Sequence, residues 1–350
     1  MTRQRSPAGE PEATRGEAES ASDRLVGIDA IRAAARLLDG VAIRTPLVPF
    51  GRPEARRFLK AESLQPIGAF KIRGAYVAVA SLTDEQRARG VVTYSSGNHA
   101  QGVARAARLL GAPAVVVMPE GAPAIKAARV AADGAEIVWV GSSSEERQRV
   151  AETIAAERGL AIIPPYDDDR IIAGQGTVGI EIAEDLPDLG AVLVPIGGGG
   201  LASGVAVAIK ALRPSARVIG VEPELAADAR DSLAAGRIVA WSAEEVGRTI
   251  ADGTRTVSLG RRTFAHLHAL LDGIITVTEE EIAAGVHLAA EESRLVAEPS
   301  GALTVAALAF RAEEAGLDVL DGPVVAVVSG GNVDADRYRE YLAAPIPNRR

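Results

Sequence analysis

The chain has 350 residues, 47% of them hydrophobic, a formal net charge of -8 and no cysteine. That length exceeds what one hydrophobic core usually organises, so two lobes are expected. The absence of cysteine excludes disulfides, iron–sulfur clusters, thiolate zinc sites and cysteine nucleophiles, and four histidines (99, 266, 268 and 287) leave little for a histidine metal centre. An acidic balance with no dense Lys/Arg run disfavours nucleic acid, which leaves small molecules as partners and a cytoplasmic setting as the expectation.

Residues 1–24 are rich in Glu, Ser, Ala, Gly and Pro and read as a disordered tail, without the apolar centre of an export signal. The first chemically informative stretch is Gly68-Ala69-Phe70-Lys71-Ile72-Arg73-Gly74-Ala75. Lys71 lies between aromatic Phe70 and apolar Ile72, where desolvation lowers an ammonium pKa and frees a nucleophilic amine able to form a Schiff base. Taken alone, a lysine with apolar neighbours is more often a snorkelling surface residue.

From residue 91 the chain alternates β-branched runs with amphipathic stretches, the rhythm of parallel strands joined by helical crossovers. Strands are predicted at 91–94, 114–117, 136–139 and 160–163. The helices between them, at 100–110, 122–132 and 144–158, end at Gly111, Gly134 and Gly159, which suit left-handed caps. Within this lobe Ser95-Ser96-Gly97-Asn98-His99 enters a helix and exposes backbone N–H groups as an anion cradle. The plainer reading makes Asn98 a helix cap and His99 a hydrogen-bonded structural residue.

A second series follows, with strands at 192–194, 217–221 and 324–328 and helices near 201–212, 279–295 and 302–315. Residues 191–209 carry no charge and approach membrane-spanning length, but Gly197-Gly198-Gly199-Gly200 would break such a helix. A buried strand, a glycine turn and a helix fit the same residues, and the turn reads as a phosphate cradle. Segments 81–90 and 164–169 are hinge candidates between the lobes.

Taken together, Phe58-Leu59-Lys60-Ala61-Glu62, Leu64-Gln65-Pro66, the Lys71 stretch, the Asn98 loop, the glycine turn, Ile250-Ala251-Asp252-Gly253 and Ser329-Gly330-Gly331-Asn332 resemble the fold type II pyridoxal phosphate enzymes. The similar branch is that of the threonine/serine dehydratases and serine racemases, over residues 25–342. The departure is Ala69, where the family more often has Ser. The resemblance implies two open parallel-sheet α/β lobes of the tryptophan-synthase-beta-like architecture. Residues 25–85 and 165–350 would make a large cofactor-binding domain, and 86–164 a small domain that closes on substrate.

By the same resemblance Lys71 holds pyridoxal 5'-phosphate beside Phe70 and serves as base at Cα. Gly197, Gly198, Gly199 and Gly200 cradle the phosphate, Asn98 meets the ring hydroxyl, and Ser329 faces the ring nitrogen. Ser95, Ser96, Gly97 and His99 receive the substrate carboxylate, and racemases use the serine equivalent to Ser96 as the acid on the opposite face of Cα. Glu222, Ala226 and Asp228, at offsets of four and six, match a structural Mg2+ or Ca2+ site, although Glu222 could equally cap the following turn. The implied activity is β-elimination from a β-hydroxy amino acid such as L-threonine or L-serine by a homodimer. Racemisation of serine and dehydration of 3-hydroxyaspartate are alternatives within the family. The chain ends too soon after Tyr341 for an added C-terminal regulatory domain to be expected.

A rival from another class is a nicotinamide oxidoreductase. Gly197-Gly198-Gly199-Gly200-Leu201-Ala202 satisfies the G-x-G-x-x-A form after a strand, and Glu222 follows the next strand as a ribose-binding acid would. That reading leaves the Lys71 and Asn98 stretches without a role.

Overall fold

The structure, a computed structural model, describes residues 25–348 apart from 96, 123 and 142. The expected tail, residues 1–24, and Ser96 lie outside the described residues.

Two sheets organise the chain. The larger runs in the order β1 (Leu47–Pro49), β2 (Arg57–Lys60), β10 (Val324–Val327), β7 (Ala191–Pro195), β8 (Arg217–Pro223) and β9 (Gly273–Val277). The smaller runs β5 (Glu136–Val140), β4 (Ala114–Pro119), β3 (Val91–Tyr94) and β6 (Ala161–Ile162), with every pairing parallel. In the larger sheet β1 pairs antiparallel with β2, so its edge departs from the all-parallel expectation, while the remaining pairs are parallel. The β-branched runs are central strands: β7 and β10 are buried along their whole length, as strands covered on both faces must be.

Helices α1 (Ile28–Leu37), α2 (Lys71–Ala80), α3 (Asp84–Arg89), α4 (Asn98–Leu109), α5 (Ala124–Ala132) and α6 (Ser144–Arg158) precede β6 in the chain. After it come α7 (Asp169–Asp185), α8 (Gly200–Leu212), α9 (Asp228–Ala235), α10 (Ala243–Val246), α11 (Arg261–Leu270), α12 (Glu279–Ser293), α13 (Pro299–Phe310) and α14 (Ala335–Leu342). Gly111, Gly134 and Gly159 have φ of 67°, 81° and 67°, the left-handed conformation expected after the helices they end. The helix anticipated at 302–315 instead starts at Pro299, whose fixed φ suits a first helical turn, and stops at Phe310. Hinge candidate 81–90 contains α3, closed by a reciprocal Thr83–Gln86 capping box. Residues 191–209 are β7, the glycine turn and α8, and among the described residues no helix is long and apolar enough to cross a membrane.

Helices α4, α2, α7 and α8 pack side by side through glycines. A Cβ on Gly102 of α4 would stand 3.1 Å from the carbonyl oxygen of Lys71. One on Gly174 of α7 would stand 2.6 Å from the Cα of Gly74 on α2, and one on Gly204 of α8 would stand 2.5 Å from the amide nitrogen of Gly176 on α7. None of these three neighbours is a flexible side-chain tip, so the backbones themselves would have to part. Gly174→Ala should therefore destabilise the protein by about 1–3 kcal/mol, read as a lower midpoint of urea unfolding; an unchanged midpoint would contradict this close approach.

Candidate active site

The four glycine-linked helices begin around one cleft. It is lined by Lys71, Asn98, the glycine turn 197–200, Tyr166, Glu298 and Ser329, among others. Several helix starts carry a local side-chain cap: Thr83, Ser143, Asp168 and Thr278 each accept a backbone N–H of the helix they precede. At the cleft, α4 and α8 start after Gly97 and Gly199, which supply no side-chain cap. Two helix N-termini thus turn free N–H donors and positive dipole ends toward the same space, which suits two anionic groups.

Lys71 is the first residue of α2, so its side chain enters the cleft from the helix start. Two devices hold that start. Phe70 N–H donates to the Ser329 carbonyl (3.0 Å), and Ala69 bridges to Gly330, tying the lysine segment to the Ser-Gly-Gly-Asn segment. Two residues beyond Lys71, Arg73 is 1% exposed and donates to Glu62 from Nε and Nη2 (both 2.8 Å), and to Glu181 (2.6 Å) and Thr177 (3.0 Å) from Nη1. Buried Lys60 donates to Glu181 (2.6 Å) and to the Thr45 carbonyl (2.6 Å). Burial works to raise the Glu62 carboxyl, but the charge and hydrogen bonds of Arg73 hold it below its ordinary range. Removing one partner of such a cluster typically costs about 3–5 kcal/mol, so α2 is fixed in position by it.

The chain contains four lysines, at 60, 71, 126 and 210. Lys60 pairs with Glu181, Lys126 with Asp252 and Lys210 with Asp272. Among the described residues Lys71 has no carboxylate partner; its Nζ donates to the Pro165 carbonyl (2.7 Å) and stands 5.2 Å from the centre of the Phe70 ring. Burial lowers its pKa to about 8. Lys71 is thus a desolvated amine without a carboxylate partner, whereas each of the other three lysines has one.

Phe70, Ser95, Gly97, Asn98, His99, the glycine turn and Ser329 line the same cleft as this amine. Asn98 Nδ2 donates to Glu298 (2.6 Å) and its Oδ1 accepts from Asn332 Nδ2 (2.8 Å), which fixes the amide plane at the cleft. Ser329 is 5% exposed, with its hydroxyl 3.4 Å from the Ser300 carbonyl. Ser95 Oγ accepts the Gly97 N–H (3.3 Å), which shapes the turn into α4. His99 is buried behind that turn; burial, then the charge of Lys71, lowers its pKa to about 3. Its Nε2 lies 3.1 Å from the Ile163 carbonyl, so that nitrogen carries the proton and the ring is neutral. Gly199 has φ of 90°, and a Cβ on Gly198 would run into the ring of Tyr166.

Tyr166 and Glu298 had no counterpart among the sequence expectations. Tyr166 is set by its neighbours in the segment before α7: Asp167 accepts the first N–H groups of α11, from Arg261, Arg262 and Thr263, and Asp168 caps α7. Glu298 is 3% exposed; burial, then the negative charge of Asp252, pushes its carboxyl up to about 7, against the pull of Lys126 and Asn98.

The expected cation site is not complete in side chains. Glu222 accepts the Ala229 N–H (3.0 Å) and the Arg230 N–H (2.8 Å), so it caps α9, and it is also withdrawn from the ribose-binding role of the rival reading. Among the described residues no three His, Asp or Glu side chains gather as a metal centre. What remains is a pair of buried carboxylates. Burial and the neighbouring Asp228 raise Glu222 well above its ordinary value, burial pushes Asp228 up to about 7, and Asp228 Oδ2 has no hydrogen-bond partner.

The state of Lys71 can be measured directly on cofactor-free protein. Its acylation by a small reagent, followed by peptide mass spectrometry, should rise with pH around a midpoint of about 8, where the neutral amine becomes dominant. A midpoint above about 10, the value of an ordinary lysine, would contradict its desolvation.

Residues 38–330 match the family described as pyridoxal-phosphate dependent enzyme. The chain is 43% identical over 289 residues to the L-threo-3-hydroxyaspartate ammonia-lyase of Saccharomyces cerevisiae, covering 83% of this chain and 86% of that protein. The solved threonine deaminase of T.th. superposes with a TM-score of 0.80 at 44% identity, over 88% of this chain and 99% of that one. Maize serine racemase superposes with a TM-score of 0.83 at 38% identity, over 91% and 97%. An amine without a counter-charge, set between two uncapped helix starts, is thus found in a chain that belongs to the pyridoxal-phosphate dependent enzymes.

Proposed function

We propose that this enzyme deaminates a β-hydroxy amino acid to a 2-oxo acid: the β-hydroxyl leaves as water, and a second water enters as ammonia is released. The observation that carries the reading is the carboxylate-free amine of Lys71 between the two anion-ready helix starts. The named activities of the S. cerevisiae and T.th. relatives support elimination as the main outcome. The likeness to maize serine racemase supports racemisation of serine as a second reading.

The residues fit the cofactor. The N–H groups of 197–200 and the start of α8 would hold its phosphate, Asn98 its ring hydroxyl, and Phe70 and Ser329 would flank the ring. Pyridoxal phosphate, when bound, supplies an aldehyde for an amine and a conjugated ring that accepts the electron pair left at Cα. Lys71 would be the attachment point and then take the Cα proton. Ser329 would offer the ring nitrogen a neutral hydroxyl in place of a carboxylate, which keeps the ring a modest electron sink and favours prompt loss of the β-hydroxyl. The start of α4, with Ser95, Gly97 and His99, would hold the substrate carboxylate, and Ser96 would be the acid on the opposite face.

Residues 86–164 form the small domain that closes on substrate, and the enzyme is a cytoplasmic homodimer, a state supported by the resemblance alone. Glu222, Asp228 and the Ala226 carbonyl hold Mg2+ or Ca2+, which the unpartnered Asp228 Oδ2 supports. Adding either cation to chelator-treated protein should raise its thermal unfolding midpoint; no shift with either would refute the cation.

Two variants test the chemistry. Lys71→Ala should cut 2-oxo acid formation by several orders of magnitude in a protein that stays folded, because one amine serves as anchor and base; near-native turnover would refute the assignment. Arg147, at the start of α6, lines the cleft and suits a substrate with a second carboxylate. Arg147→Met should lower kcat/KM for 3-hydroxyaspartate by about 10–100-fold while sparing serine and threonine. Equal losses for all three would remove that preference, and native racemisation of serine outpacing pyruvate formation would favour the racemase reading.

A further inference from the structure

Lys126 is a cation that neither the sequence motifs nor the chemistry above uses. It lies on α5, beside the smaller sheet, yet its Nζ pairs at 2.7 Å with Asp252 in the short 3-10 turn Asp252–Thr254, which follows β8 and belongs to the larger-sheet part of the chain. Its side chain is only 12% exposed, while that of Asp252 is 44% exposed. Lys126 also lines the cleft, and a Cβ on Gly97 would stand 4.0 Å from its Nζ. The ammonium is thus over the uncapped start of α4, where Gly97 is the residue before the first helical position. An anion accepting the N–H groups of that start would lie against it.

We propose that Lys126 is a further substrate-binding residue, which pairs with the α-carboxylate of the amino acid held at the start of α4 and is kept in place by Asp252 until substrate arrives. The physical case rests on exchange. A pair with one half-exposed member is screened by solvent and contributes little, so Asp252 can give up the ammonium at low cost. The arriving carboxylate also accepts helix N-terminal N–H groups, so it gains a charge-assisted hydrogen bond in addition to the dipole end. Asp252 keeps the long lysine side chain ordered meanwhile, so less rotamer freedom is lost on binding. The Asp252 of Ile250-Ala251-Asp252-Gly253 thereby acquires a role: it is a placeholder for the substrate anion.

This inference rests on the reading of the α4 start as the carboxylate site, and the test separates the two. Glycine and ethylamine both present an amine to the holoenzyme, but only glycine has a carboxylate, and neither has a β-leaving group. Their binding can be followed by the visible spectrum of the bound cofactor and by calorimetry. The native holoenzyme should prefer glycine. Lys126→Met should lose about tenfold or more of glycine affinity with ethylamine affinity unchanged, whereas Asp252→Asn should bind glycine as well as native or better. If the native enzyme shows no preference for glycine, the carboxylate site and the Lys126 assignment both fall. If the preference is present and survives in Lys126→Met, the Lys126 assignment alone falls. If Lys126→Met and Asp252→Asn weaken glycine alike, the pair is only a tie between the two parts of the chain, and the proposal is overturned. Lys126→Gln, read in the same way, replaces Lys126→Met should the latter fail to fold, and thermal unfolding of each variant reports whether it has.

Discussion

The active-site arrangement depends on backbone contact between neighbouring helices. Gly102, Gly74, Gly174, Gly176 and Gly204 let α4, α2, α7 and α8 approach until carbonyls and Cα atoms touch. Because these helices run from a common end, close lateral packing brings their first residues together: the anion turn before α4, Lys71 at the start of α2, Tyr166 just before α7 and the glycine turn before α8. Wider spacing would leave each feature intact and disconnect them. The interior of the site is thus a consequence of small residues far from the chemistry, and it gains rigidity from the density of that packing.

Electrostatics then sorts the lysines. Lys60 is buried completely, but the cluster of Glu62, Arg73 and Glu181 around it is satisfied in nearly every donor and acceptor, so it serves as an anchor for α2. Lys71 is two residues from Arg73 of that anchor and receives none of its negative charge through a salt bridge. Burial without compensation costs free energy in the folded state, and the protein bears that cost at the residue whose neutral form is useful. The same logic applies to the helix starts. A side-chain cap would stabilise α4 or α8 by about 1 kcal/mol, and its omission leaves donors available to ligand anions.

Much of this was legible in the sequence where a residue's local chemistry decides its role. Lys71 between apolar neighbours, the glycine turn after a β-branched run and the left-handed caps at Gly111, Gly134 and Gly159 depend on adjacent residues, and the structure has each in that form. What depended on tertiary contact was not. Helix α7 carries glycines at 174, 176 and 179 that weaken its helical signal, and their purpose is visible only once α2 and α8 lie against them. The edge strand β1 has only three residues, below the length at which alternation is informative. Glu298 gave no signal because its perturbation comes from burial and from Asp252, 46 positions away. One signal was available and unused: with lysines at only four positions, scarcity itself narrowed the search for a reactive amine. The spacing of Glu222, Ala226 and Asp228 conveyed oxygen clustering but not that both Glu222 oxygens would also accept N–H groups at the start of α9.

The central claim is that Lys71, alone of the four lysines, carries pyridoxal phosphate. The most direct measurement is borohydride reduction of the cofactor-loaded protein, followed by peptide mass mapping. The account predicts a single reduced phosphopyridoxyl adduct on Lys71, with Lys60, Lys126 and Lys210 unmodified because each is engaged in an ion pair with a carboxylate. An adduct on any of those three, or none at Lys71, would contradict it.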